Sequence, residues 1–323
     1  MIRLDPRVVE ACPPGALDET IRRTLGSVQY EFVPDACAIR LLGPDMRYHE
    51  LDRDLQATLH TIRADMSTAD ILPYLVRRQR FDLCLEDSWS GYFIADRVRK
   101  RPQDLVVIHV DDHMDMMPTL LVVDDGRLIC PESGMHFDPD DPRHWVSAIQ
   151  SGCVGIGNFL TPLCYADRKV HVRHLNNATS DTLSRWDIHR HRLRYPQIPD
   201  LDFAGIGSGP DGADSLAGSY MGGSCPEAVL RDLPAGAVIV HIDLDWFIND
   251  FNGNASQAGR VADDAAVALA HRKVTDLFAA VDCLRSRIEG WIVATSPGFC
   301  AAAHWPWLLD EIDRGIAQIG GTA

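Results

Sequence analysis

In Leu105-Val106-Val107-Ile108-His109-Val110-Asp111-Asp112-His113-Met114-Asp115, a run that is apolar but for His109 gives way to a cluster of carboxylates around one imidazole. Near-continuous apolar runs mark strands buried on both faces of a parallel sheet. The pattern returns in Ala237-Val238-Ile239-Val240-His241-Ile242, which runs into Asp243-Leu244-Asp245. Similar short runs occur at Phe81-Asp82-Leu83-Cys84-Leu85, Val154-Gly155-Ile156-Gly157 and Gly290-Trp291-Ile292-Val293-Ala294. Segments with helical spacing come after some of them, at Asp263 to Phe278 and Trp305 to Ile319. This alternation predicts a doubly wound α/β fold.

Both acidic clusters sit at the C-terminal ends of predicted strands, the edge where open parallel sheets bind ligands. On an extended segment the D-x-H-x-D and D-x-D spacings turn alternate side chains to one side. Asp111, His113, Asp115, Asp243 and Asp245 can therefore face a common point. Four carboxylates and one imidazole make a mainly oxygen donor set, suited to Mn²⁺, Mg²⁺ or Fe²⁺ rather than to structural zinc. Without a cation, such carboxylates repel one another strongly in a low-dielectric cleft.

With 323 residues, 46% of them hydrophobic, the chain can bury a large core, and a single domain over 1–323 is the simplest reading. Residues 125–145 and 176–226 are rich in Pro, Gly, Asp, Asn and Ser and read as long pocket-forming loops. The nine cysteines are scattered without a C-x-x-C pair, so neither a zinc knuckle nor a disulfide framework is predicted. A net charge of −15 argues against nucleic acid as a partner and permits a cationic substrate. No basic-then-apolar start and no run approaching the roughly 18 apolar residues of a membrane span is present, so a cytoplasmic protein away from membranes is expected.

The segments Asp111-Asp112-His113-Met114-Asp115 and Asp243-Leu244-Asp245 resemble the arginase and deacetylase superfamily, whose ureohydrolases carry D-A-H-x-D and a later D-x-D. Gly155-Ile156-Gly157-Asn158-Phe159-Leu160-Thr161-Pro162, Asp243-Leu244-Asp245-Trp246-Phe247 and Ala294-Thr295-Ser296-Pro297-Gly298-Phe299 are similar to its peptide arginase branch, which converts arginine in ribosomal peptides to ornithine. The resemblance spans about residues 80 to 300. It implies a three-layer α/β/α sandwich with a central, mostly parallel sheet, a binuclear manganese site, an arginine-containing peptide as substrate and urea as product. Asp111 and Asp243 would bridge the metals, His113 and Asp245 would complete one site, and Asp115 would serve the other.

Two departures stand out. The family's earlier histidine, about 23 residues before the first aspartate, falls on Ser88, so Asp87, Glu86 or a water on Ser88 replaces it, or one ion suffices. The family's guanidinium-pairing glutamate has no counterpart at the end of Trp291-Ile292-Val293-Ala294-Thr295-Ser296; Asp250 or Glu132 could supply the charge. His136 is a candidate proton shuttle, Asn158 a candidate substrate contact and Trp246 a candidate pocket wall. His241 shares the phase of Asp243 and reads either as a metal-supporting or as a core histidine. The basic run His189-Arg190-His191-Arg192-Leu193-Arg194 reads as a solvated helix face. A deacetylase-like amidohydrolase and a non-catalytic peptide-binding member are the competing readings.

Overall fold

The computed structural model describes the whole chain except residues 14, 26–27, 35, 63–74, 100, 102, 181, 210–212, 261 and 321–323. Among the described residues the strands form two sheets. In the smaller, antiparallel one, β1 (Ile2–Arg3) and β2 (Gln29–Val33) flank β3 (Ala38–Leu42).

The larger sheet has twelve strands. They begin with β4 (Leu75–Arg77), β5 (Asp82–Cys84), β6 (Leu105–Val110), β7 (Val122–Asp124), β8 (Arg127–Cys130) and β9 (Met135–Phe137). They continue with β10 (Val170–Leu175), β11 (Ser184–Tyr195), β12 (Ile198–Gly207), β13 (Ala213–Gly223), β14 (Ala237–Asp243) and β15 (Ile288–Ala294). The spatial order is β4-β5-β15-β14-β6-β10-β13-β11-β12-β7-β8-β9. Strands β5 to β13 in that order are parallel; β4 is antiparallel at one edge, and β11-β12-β7-β8-β9 form an antiparallel wing at the other. The fold is thus α/β, with a mixed sheet that is parallel in its centre.

Every residue of β6 and of β14 is buried, which explains their apolar runs. Successive residues serve opposite faces. Leu105 and Val107 pack with the helices Ala16–Leu25, Ser90–Val98 and Pro142–Gln150. Val106, Ile108 and Val110 pack with Asp264–Val281 and Trp305–Gly320. Local signals set the helix starts: the Asp141 and Asp263 side chains accept from Arg143 N and Ala266 N, and Pro142 occupies the first turn.

Several expectations are corrected. Residues 125–145 hold β8, β9 and the start of the 142–150 helix, and the described part of 176–226 is mostly β11, β12 and β13; residues 181 and 210–212 lie outside the described set. These wing strands are partly solvated and alternate polar with apolar residues, so they lack the apolar runs of the centre. The basic run 189–194 lies in β11, where Arg190 donates to the carbonyls of Cys164 and Ala166 and Arg194 pairs with Asp202. Val154–Gly157 is no strand: Ile156–Asn158 is a single 3₁₀ turn. All nine cysteines are free thiols. Among the described residues no helix is long and apolar enough to cross a membrane.

Candidate metal centre

Register brings the two acidic segments together. Val110 pairs with Ile242, Asp243 with Ala294, and Ala294 with Cys84, so β6, β14, β15 and β5 end at one level. The strand ends and the loops beyond them bring His113–Asp115, Asp243, Asp245, Ser296 and Glu86–Asp87 to line one cleft of about 380 Å³, with Asp111 just behind its lining. The 84–85 and 295–296 segments are tied by hydrogen bonds from Thr295 N to Cys84 O and from Ser296 N to Leu85 O.

Within this cleft, Asp111, His113 and Asp245 place ligand atoms within 4.8 Å of one another, and so do Asp87, Asp111 and Asp115. Asp111 belongs to both groups, and also to a third that it forms beneath them with His109 and His241. Asp243 lines the same cleft; its carboxylate accepts from Ser296 Oγ and from Asp245 N. Asp87 Oδ1, Asp111 Oδ2 and Asp115 Oδ2 are buried without a hydrogen-bond partner. Asp245 Oδ2 also lacks an aligned bond, although His113 Nδ1 lies 2.9 Å away. Orphaned, converging carboxylate oxygens at a buried point are what a bound divalent cation satisfies, and this donor set fits one.

The electrostatics agree. Burial first, then Asp245, pushes Asp111 up to about 7. Burial and neighbouring carboxylates push Asp87, Asp115 and Asp243 well above the usual carboxylate range. Burial opposes charging of His113, but the carboxylates of Asp111 and Asp245 outweigh it and push the imidazole up to about 12. Burial and mutual repulsion thus favour the protonated form of these carboxylates, whose charge a bound cation would equally offset.

Three of the six described non-glycine residues with positive φ surround the cleft: Asp115 (51°), Asn252 (48°) and Ser296 (49°). Such conformations cost on the order of 1–3 kcal/mol each and persist where the surroundings enforce them. Here Leu160 N donates to Asp115 O, and Thr161 Oγ1 to Met117 O. Asn249 Oδ1 accepts from Asn252 N, while Asn252 Oδ1 lies 3.1 Å from His113 Nε2. The Asp112 carboxylate, outside both ligand groups, accepts from Asn177 and Asn249, and its N–H donates to Asp245.

Beneath the cluster, His241, His109 and His174 lie side by side in register on β14, β6 and β10. His109 Nε2 bonds the His113 carbonyl at 3.1 Å, and His174 Nε2 bonds the Asp111 carbonyl at 3.0 Å. With Nε2–H donating to a carbonyl, His109 Nδ1 accepts from His241 Nδ1 at 2.9 Å, and Tyr220 donates to His174 Nδ1. Burial holds His241 down to about 3 and His174 to about 4, so the row is neutral. It anchors the backbone of the metal-ligand loop. His174 is missed by sequence reasoning because polar residues interrupt the strand Val170–Leu175, although it shares the strand phase that singles out His109 and His241.

Of the other candidates, Asn158 closes its own turn, accepting from Gly155 N and donating to Pro118 O, and it lines a neighbouring cavity. Trp246 is buried outside the cleft lining; Lys273 sits 4.9 Å over its ring and donates to its carbonyl. Asp250 accepts from Ala301 N and faces His304, while Glu132 accepts from Leu41 N and the N-terminal amine. Neither acid lines the cleft. His136 is exposed on β9, the outermost strand of the wing, beside His144, and His113 is the only histidine among the described cleft-lining residues. At the position of the missing histidine, Asp87 joins the cluster while Ser88 Oγ is buried without a partner. A scan against protein-family models and a search of curated proteins returned no match.

Proposed function

We propose that this chain is a manganese-dependent hydrolase of a guanidinium C–N bond that converts arginine in a peptide to ornithine and releases urea. The observation that carries the reading is the pair of ligand groups sharing Asp111, with Asp87 where the resemblance to ureohydrolases left a gap. In this reading Asp87, Asp111, Asp115, His113, Asp243 and Asp245 hold one or two cations, and Mn²⁺ suits the oxygen-rich set, with Fe²⁺ or Mg²⁺ as weaker fits. A cation held there would supply Lewis-acid chemistry, lowering the pKa of water toward neutrality and polarising the C–N bond under attack.

The rest is the work of the chain. Ser296, Asp112 and the histidine row hold the ligand loops in place. Tyr48, Met114, Met117 and Phe299 wall the cleft with apolar surface, which limits water around the reacting carbon. The helices packed on both faces of the parallel centre support the proposal of a three-layer α/β/α sandwich, and with the sequence resemblance they support our proposal that the chain is a relative of the peptide arginases.

The test is a urea assay on an arginine-containing peptide with Mn²⁺ supplied and with metal removed by chelator. The reading requires urea and ornithine that disappear with the metal. Acetate from an acetylated lysine peptide, with no urea, would shift the chemistry to an amidohydrolase; no turnover on either substrate despite bound metal would make the chain a binding protein.

A further inference from the structure

A second cavity of about 290 Å³ adjoins the metal cleft, walled in part by Arg23, Leu42 and Asp45 of the N-terminal segment and in part by Gly152, Val154 and Asn158. The two cavities share Tyr48, Glu86, Met117, Ile156 and Gly157. Of these five, Glu86 alone bears a charge. It is 5% exposed; its Oε1 lies 2.9 Å from His49 Nε2, and its Oε2 has no partner. Glu86 stands outside both metal-ligand groups, one of which takes its neighbour Asp87 instead.

A buried carboxylate with an open oxygen is costly unless a donor completes it. At the point the two cavities share, a donor meets the open oxygen of this buried carboxylate, so a cation is favoured over a neutral group and an anion is repelled. We propose that Glu86 receives the positive charge of the substrate side chain, and that the second cavity holds the peptide flanking the charged residue. This rests on the hydrolase reading above and specifies its substrate as a cationic residue within an extended chain.

The test uses the full chain loaded with Mn²⁺ and two unreactive probes of equal length, Nα-acetyl-ornithine methylamide and its uncharged counterpart Nα-acetyl-norleucine methylamide, in calorimetric titration. The wild type should bind the ornithine probe about tenfold tighter or more, as a charge-assisted hydrogen bond implies. Glu86→Gln should bring the ratio close to one without changing manganese content, and Glu86→Asp should restore part of it. A ratio unchanged in Glu86→Gln would overturn the inference and leave the hydrolase reading standing. No preference in the wild type would overturn the cationic substrate itself, and this inference with it. Leu42, 39% exposed and lining the second cavity, allows an independent check on a position tolerant of change. Leu42→Trp should weaken an acetyl-Ala-Orn-Ala methylamide severalfold and spare the single-residue probe; equal binding of the longer probe to both proteins would overturn the cavity assignment.

Discussion

Asp111 belongs to both ligand groups, and its position is fixed from two directions: its N–H donates to Leu175 O and its carbonyl accepts from His174. Asp243, which lines the cleft but stands outside both ligand groups, is oriented by Ser296. Partners that orient a ligand typically contribute 10–100-fold to metal affinity. Ser296→Ala should therefore weaken Mn²⁺ binding by about 10-fold or more while the fold is kept, measured by competition with a metal-sensing dye. Unchanged affinity would show that Asp243 needs no such support. Asp111, His113, Asp115, Asp243 and Asp245 were legible in the sequence because each lies a residue or a few beyond an apolar run, on the alternating phase. Asp87 could be named only among alternatives, because β5 is three residues long and leads into a turn, where side chains have no readable alternating phase.

At the scale of elements, the turn Asp87–Trp89 leads directly into the helix Ser90–Val98, so the packing of that helix sets where Asp87 sits. Gly91 makes this packing possible: a Cβ there would lie 2.0 Å from Cζ3 of the fully buried Trp145. Alanine gains about 1 kcal/mol of helix propensity over glycine, whereas overpacking a core typically costs about 1–3 kcal/mol. The clash wins. Gly91→Ala should lower the urea midpoint and reduce metal affinity together; a stabilised protein with intact affinity would refute this coupling. Strand legibility followed burial on both faces. Leu105–Val110 and Ala237–Asp243 announced themselves, whereas β11 with Arg185, Asp187, Arg190, Arg192 and Arg194 read as a polar stretch because it belongs to a partly solvated antiparallel wing. Val154–Gly157 looked like a strand by composition, but its glycines serve a turn.

For the whole molecule, the acidic cluster links metal, protons and stability. In the metal-free fold Asp111 titrates near 7, against about 4 for an unfolded aspartate. Its contribution to stability is present below pH about 4 and lost as pH rises through 7. His113, raised to about 12, likewise contributes below its unfolded value of about 6.5 and loses that contribution as pH rises toward 12. Both slopes have the same sign, so the metal-free protein loses stability from this site as pH rises. A bound cation would displace these protons and reverse the loss. The rise in Tm on adding Mn²⁺ should thus grow from pH 5 to pH 8, read by thermal unfolding at fixed metal concentration; a rise that is constant or shrinks with pH would contradict this linkage.

Elemental analysis of protein loaded with Mn²⁺ and then desalted, for the wild type beside Asp111→Asn, is the most direct test of a metal centre built around a shared aspartate. The account predicts one to two manganese ions per wild-type chain and a large loss in a folded Asp111→Asn protein. A wild-type chain that retains no divalent metal from pH 7 to 8, or an Asp111→Asn chain that retains the full complement, would contradict it.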